Sequence, residues 1–83
     1  MRRGDLVTVA VSGDCDKPRQ ALVIQSDALA ETDSILDCLL TKTLRDAPLY
    51  RLPVAALPAA GLRAPSQIMV DKIVAIPRVR CGA

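Results

Sequence analysis

Lys17-Pro18-Arg19 leads directly into the apolar run Ala21-Leu22-Val23-Ile24, which Gln25-Ser26-Asp27 closes. The proline fixes the backbone on the approach to Arg19. The short apolar run, bounded by turn formers, reads as a buried strand from about Gln20 to Gln25. A guanidinium held at the mouth of such a strand is preorganised to meet an anion, and its planar fork matches the oxygens of a phosphate. A plainer reading fits the same residues: Arg19 snorkels at a strand end, its stem on apolar surface and its head in water. Other reactive groups are scarce. The chain has no histidine, which excludes imidazole catalysis and the commonest metal ligand. Cys15, Cys38 and Cys81 form an odd set without CxxC spacing, which argues against a disulfide framework and against a zinc site. Asp14 and Asp16 lack the further oxygen ligands that a hard cation needs, so they read as solvated loop carboxylates.

The elements that must position Arg19 are short. Leu6 to Val11 is rich in β-branched residues and reads as a first strand. Ser12 to Pro18 is a turn by composition. After the strand that follows Arg19, Ser26 to Ser34 is polar and acidic, with room for one helical turn. Ile35 to Thr41 reads as a third strand, with Leu36, Cys38 and Leu40 on one face and Ile35, Asp37, Leu39 and Thr41 on the other. Cys38 is therefore expected as a small core residue rather than a nucleophile. Leu49 to Val54 reads as a short strand near an edge, because Pro53 cannot donate to a ladder. Ala55 to Pro65 is a loop with space for one helical turn. Gln67 to Val70 reads as another strand, which Asp71-Lys72 interrupts, and Ile73 to Ile76 follows as a further strand or as its continuation. The tail from Arg78 is expected to have no partner. Short strands separated by turn signals, with hardly any helix, predict a small antiparallel barrel or paired sheets.

With 83 residues the chain is expected to be one domain, 1–83, burying only about 60% of its unfolded surface. Tyr50 is its only aromatic residue, so the core must be aliphatic. The net charge of +2 permits nucleic-acid binding without arguing strongly for it. The distribution of charge says more. Between Arg19 and Lys42 stand only Asp27, Glu31, Asp33 and Asp37, whereas the residues from Arg51 onward are basic apart from Asp71. An acidic side and a basic side are expected. The apolar run at the start is too short to cross a membrane, and a cytoplasmic location is expected from the missing signal peptide and the cysteine usage.

Four stretches, taken in order, resemble the MazF/PemK family of toxins from type II toxin–antitoxin pairs. They are Arg3-Gly4-Asp5-Leu6-Val7, then Lys17 through Asp27, then Leu40-Thr41 with Thr43-Leu44-Arg45, then Pro65 through Ile73. The resemblance implies an SH3-like barrel, a homodimer, and sequence-specific cleavage of single-stranded RNA without metal or other cofactor. It implies a cognate antitoxin whose extended segment occupies the RNA groove. Arg19 matches the family's catalytic arginine, Thr41 its threonine at the end of the third strand, and Asp71 an acid that some members carry before the last strand. Two departures stand out: the first loop is short, and the chain stops at Ala83 where relatives continue into a C-terminal helix.

Metal-free cleavage uses the neighbouring 2′-hydroxyl as nucleophile, so no catalytic serine or cysteine is required. Arg19 suits charge stabilisation, Thr41 suits orientation of the phosphate, and Asp71 suits proton acceptance or the orientation of Arg19. A turn residue paired with Lys72 or Arg78 is the bland alternative for Asp71, and β-propensity at a strand end is that for Thr41. With little scope for aromatic stacking, RNA contacts are expected from Lys17, Lys42, Arg45 and Arg51, with Gln25 and Gln67 as polar contacts. Two other functions suit the same fold: a protein-binding toxin of the gyrase-inhibiting kind, and an inactive relative that binds only its antitoxin.

Overall fold

The computed structural model describes residues 1–10 and 18–82, apart from the side chain of Ala60. The turn carboxylates Asp14 and Asp16, together with Cys15 and Lys17, lie outside the described residues. Six strands follow in order: β1 Leu6–Val9, β2 Arg19–Val23, β3 Ser34–Thr41, β4 Arg51–Val54, β5 Ser66–Pro77 and β6 Cys81–Gly82. They form one antiparallel sheet in the order β4-β5-β3-β2-β1-β6. The described helical elements are single 3₁₀ turns at Asp27–Leu29, Pro58–Ala60 and Arg78–Arg80. The expected mainly β fold with little helix is what the chain adopts.

Alternation along the strands sorts the apolar residues onto two faces. Val7, Val9, Ala21, Val23, Ile35, Leu39, Met69 and Ile76 make one buried cluster, with Val74 and Cys81 packed against it. Their strand neighbours Cys38, Leu40 and Ile68 make a second cluster with Leu62. The first face is buried without a second layer of structure to cover it, which requires the sheet to roll onto itself. The connection from β5 to β6 says the same. On a flat sheet these strands would lie four spacings apart, roughly 19 Å. The single 3₁₀ turn that joins them, Arg78–Arg80, advances only about 6 Å. The sheet therefore curls until the end of β5 reaches the outer edge of β1, in the manner of a small SH3-like barrel.

One sequence expectation is corrected here, and one left open is decided. The tail is paired: Thr8 faces Gly82 and Val9 faces Cys81, and the amide of Ala10 donates to the Arg80 carbonyl at 3.0 Å. The roll brings β1's outer edge within reach, and Cys81 gains the core while Val79 stays 94% exposed. The interruption at Asp71-Lys72 is a bulge within one strand rather than a gap between two. Between the pairs Leu40↔Ile68 and Cys38↔Ile73, two steps along β3 face five along β5. The surplus residues Val70, Asp71 and Lys72 are exposed. Such a bulge bends a strand and sharpens its twist, as a rolled sheet demands.

Candidate functional site

The ladder between β2 and β3 ends at Ala21↔Leu39. Two residues further, the same register sets Arg19 across from Thr41, and period-two alternation puts both on the face of Ala21 and Leu39. Ala21 is fully buried and Leu39 nearly so, so each strand is anchored just behind its functional residue. Arg19 and Thr41 share a hollow of about 260 Å³ at this end of the sheet, with Lys42 beside them. Part of the wall is the return of the 55–65 segment, Gly61-Leu62-Arg63, together with Ser66.

That wall is built by one glycine and one leucine. The 3₁₀ turn at Pro58–Ala60 stops at Gly61, whose φ of 85° is a left-handed conformation that favours glycine. Reciprocal backbone bonds between Leu57 and Leu62, at 2.7 and 3.0 Å, close the loop. Leu62 then enters the second core cluster against Cys38, Leu40 and Ile68.

The hollow is one-sided in charge. Among the described residues its lining carries Arg19, Lys42 and Arg63 and no carboxylate. Several of its polar groups are already committed. The Gln20 amide donates to the Thr8 hydroxyl at 3.3 Å, and the Ser66 hydroxyl donates to the Ala64 carbonyl at 3.0 Å. Thr41 differs. Its oxygen accepts the Thr43 amide at 3.1 Å, and its proton has no acceptor among the described residues. A hydroxyl held in this way can donate to an incoming oxygen.

The remaining candidates lie elsewhere. Asp71 is exposed in the β5 bulge, whereas the β5 residue level with Thr41 is Gln67. It does not line the hollow and makes no ion pair with Lys72 or Arg78 among the described residues. Arg51 was expected at the RNA surface but is only 8% exposed. It donates to the Thr43 carbonyl at 3.3 Å and to Gln67 at 3.4 Å. Gln67 in turn donates to the Arg45 carbonyl at 2.8 Å and accepts the Arg45 amide at 3.0 Å. These two side chains brace the 42–50 loop against β5, and the Arg45 side chain is left exposed. Gln25 lies past the far end of β2, where it bonds Leu29, Thr32 and the Leu36 amide. It borders a separate hollow of about 240 Å³ with Arg2, Asp27 and Arg78. The expected separation of charge is therefore partial. Asp27, Glu31 and Asp33 sit in the connection at that far end, but Arg2 and Arg78 accompany them.

Two features escaped sequence reasoning. Arg63 looked like one cation in a loop; the signal was the Gly-Leu pair before it, a turn followed by an anchor. The other is Asp37, which is fully buried on the inner face with no donor for either carboxylate oxygen among the described residues. Burial pushes its carboxyl from 3.8 up to about 6. Its alternation with Ile35 and Leu39 was legible; that no partner would meet it was not. Burial also raises the thiols of Cys38 and Cys81, and the Asp37 charge adds to both shifts, with Arg78 opposing at Cys81. Cys38, 4% exposed, is a core residue as expected.

Comparison with known proteins agrees with this architecture. The family model described as "PemK-like, MazF-like toxin of type II toxin-antitoxin system" matches residues 2–83. The "Probable endoribonuclease MazF" of Mycolicibacterium smegmatis (strain ATCC 700084 / mc(2)155) is 42% identical over 79 residues, covering 94% of this chain and 72% of that protein. The chain belongs to the PemK-like, MazF-like toxin family of type II toxin–antitoxin systems.

Proposed function

We propose that this chain is a metal-independent, sequence-specific endoribonuclease toxin that cleaves single-stranded RNA in the cytoplasm and is held in check by a cognate antitoxin. One observation carries the reading: Arg19 and Thr41 line the same hollow, whose described lining is cationic. The 2′-oxygen attacks the adjacent phosphorus, the 5′-oxygen leaves with a proton, and the products carry a 2′,3′-cyclic phosphate and a 5′-hydroxyl. Arg19 offsets the charge that builds on the phosphoryl oxygens, and a cation fixed on a buried strand does so without reorganising. Thr41 donates to one of those oxygens and orients the phosphate for in-line attack. Asp71 has no contact in this arrangement, and proton transfer falls to water and the RNA itself.

A homodimer is part of the same reading. Leu36 and Ile73, diagonal neighbours on the outer sheet face, are 40% and 53% exposed, and Leu52 is 54% exposed. Apolar surface of this kind marks an interface. The test is incubation of purified protein with a mixed RNA pool in chelator. Discrete fragments ending in cyclic phosphate are expected, and RNA methylated at the 2′-oxygens should stay intact. An unfragmented pool would overturn the ribonuclease reading, and inhibition of gyrase in its place would identify a protein-binding toxin.

A further inference from the structure

We propose that Arg63 is a second phosphate anchor, holding a non-scissile phosphate of the RNA strand whose scissile phosphate meets Arg19. The inference rests on the ribonuclease reading above and adds a residue and a function to it.

Three features of the structure converge on Arg63. It lines the same hollow as Arg19 and Thr41, on a segment that reaches this place from a different part of the chain. Its position is fixed: the left-handed turn at Gly61 and the paired amides of Leu57 and Leu62 set the backbone, and Leu62, 2% exposed, plugs the core immediately before it. Its head group is available: Arg63 is exposed and makes no hydrogen bond or ion pair with a described residue. Arg51 has a similar charge and loop connection but is buried and donates to Thr43 and Gln67, so it cannot serve in this way. Among the described residues the hollow is lined by three cations and no carboxylate, a field that favours a polyanion. Successive phosphates of one RNA strand supply more than one anion to such a lining, which a lone anion does not.

Arg63 should therefore act on binding more than on chemistry. The probe is a fluorescein-labelled, fully 2′-O-methylated oligoribonucleotide, which cannot be cleaved. Its affinity is measured from low to high salt for the wild type, Arg63→Ala, Arg63→Gln, Arg63→Lys and Arg3→Ala. Loss of one phosphate contact on a single strand lowers the slope of log K against log salt by about 0.7. That decrease is expected for Arg63→Ala and Arg63→Gln, with unchanged melting curves. Arg63→Lys should restore the slope, and Arg3→Ala, at the other end of the sheet, should leave it unchanged. In cleavage, KM should rise for Arg63→Ala while kcat holds. Wild-type binding with a clear salt slope that Arg63→Ala and Arg63→Gln leave intact would overturn the assignment of Arg63 alone. Absence of salt-dependent RNA binding by the wild type would overturn the ribonuclease reading and this inference with it.

Discussion

Consider a rise in pH through the range in which Asp37 ionises. Its carboxyl is fully buried, neither oxygen has a donor among the described residues, and burial lifts it from 3.8 to about 6. The folded state therefore holds this proton more tightly than the unfolded chain does. Its stabilising effect is complete below pH 3.8 and disappears as pH rises through about 6. At about 1.4 kcal/mol per pH unit the loss comes to about 3 kcal/mol. Urea denaturation at one protein concentration, at pH 4 and pH 7, isolates it when the wild type is compared with Asp37→Asn and Asp37→Val. Valine suits the site because Asp37 lies between Val23 and Val74. Other titrating groups cancel in the comparison. Each variant should gain about 2.5 kcal/mol on the wild type between the two pH values, slightly less than the full loss because the unfolded carboxyl is already partly ionised at pH 4. For a chain of this size that corresponds to roughly 10–20 °C in Tm. Parallel pH profiles for the wild type and Asp37→Asn would show that Asp37 is not buried as an orphan and would refute the reasoning.

Arg19→Ala should lower single-turnover cleavage roughly 10²–10³-fold with an unchanged melting curve, and Arg19→Lys should recover only part of it, since the ammonium lacks the fork. Asp71→Asn should leave the rate within about twofold of wild type; a loss as large as that of Arg19→Ala would return Asp71 to the chemistry. Leu62→Ala should cost about 2–5 kcal/mol in chemical denaturation, because it empties a core position and loosens the wall that carries Arg63. The Cys38 thiol, buried and raised, should react with a disulfide reagent only as fast as the protein opens, and labelling at the rate of a free thiol would contradict its placement.

The fold was legible where alternation and turn chemistry agree. β2 and β3 fall within two residues of their expected limits, and the 3₁₀ turns at Asp27–Leu29 and Pro58–Ala60 fall inside the segments given room for them, whereas that at Arg78–Arg80 was not expected. What could not be read was set by the roll of the sheet. The tail has too little apolar surface to announce a strand; it pairs because β1's outer edge is carried to it. Asp71-Lys72 looks like a break because the bulge that relieves the roll admits polar residues into a continuous strand. For the site, Arg19, Thr41 and Lys42 line one hollow, whereas other expected contacts have side chains committed within the fold. Gln25, Arg51 and Gln67 carry the polarity of a binding surface, yet each is occupied by backbone groups of a neighbouring loop. A hydrogen bond to a carbonyl distant in sequence leaves no trace in composition or periodicity.

The same roll explains why the hollow lies where it does. Arg19 starts β2, Thr41 ends β3, and Ser66 starts β5, so antiparallel pairing alone gathers three chain-distant positions at one end. The other end collects the 24–33 connection, where Asp27, Glu31 and Asp33 stand with Arg2 and Arg78 and the charge is mixed. Directionality of the sheet thus sorts charge more finely than the net +2 of the chain reveals. Gly61 and Leu62 complete the arrangement, since they bring Arg63 to the cationic end from a loop that could have left the sheet anywhere. A substitution such as Gly61→Val, which strains the φ of 85°, would move Arg63 without removing it. The hollow depends on that turn as much as on the charges it presents, and the salt slope of RNA binding is the quantity in which the two would be told apart.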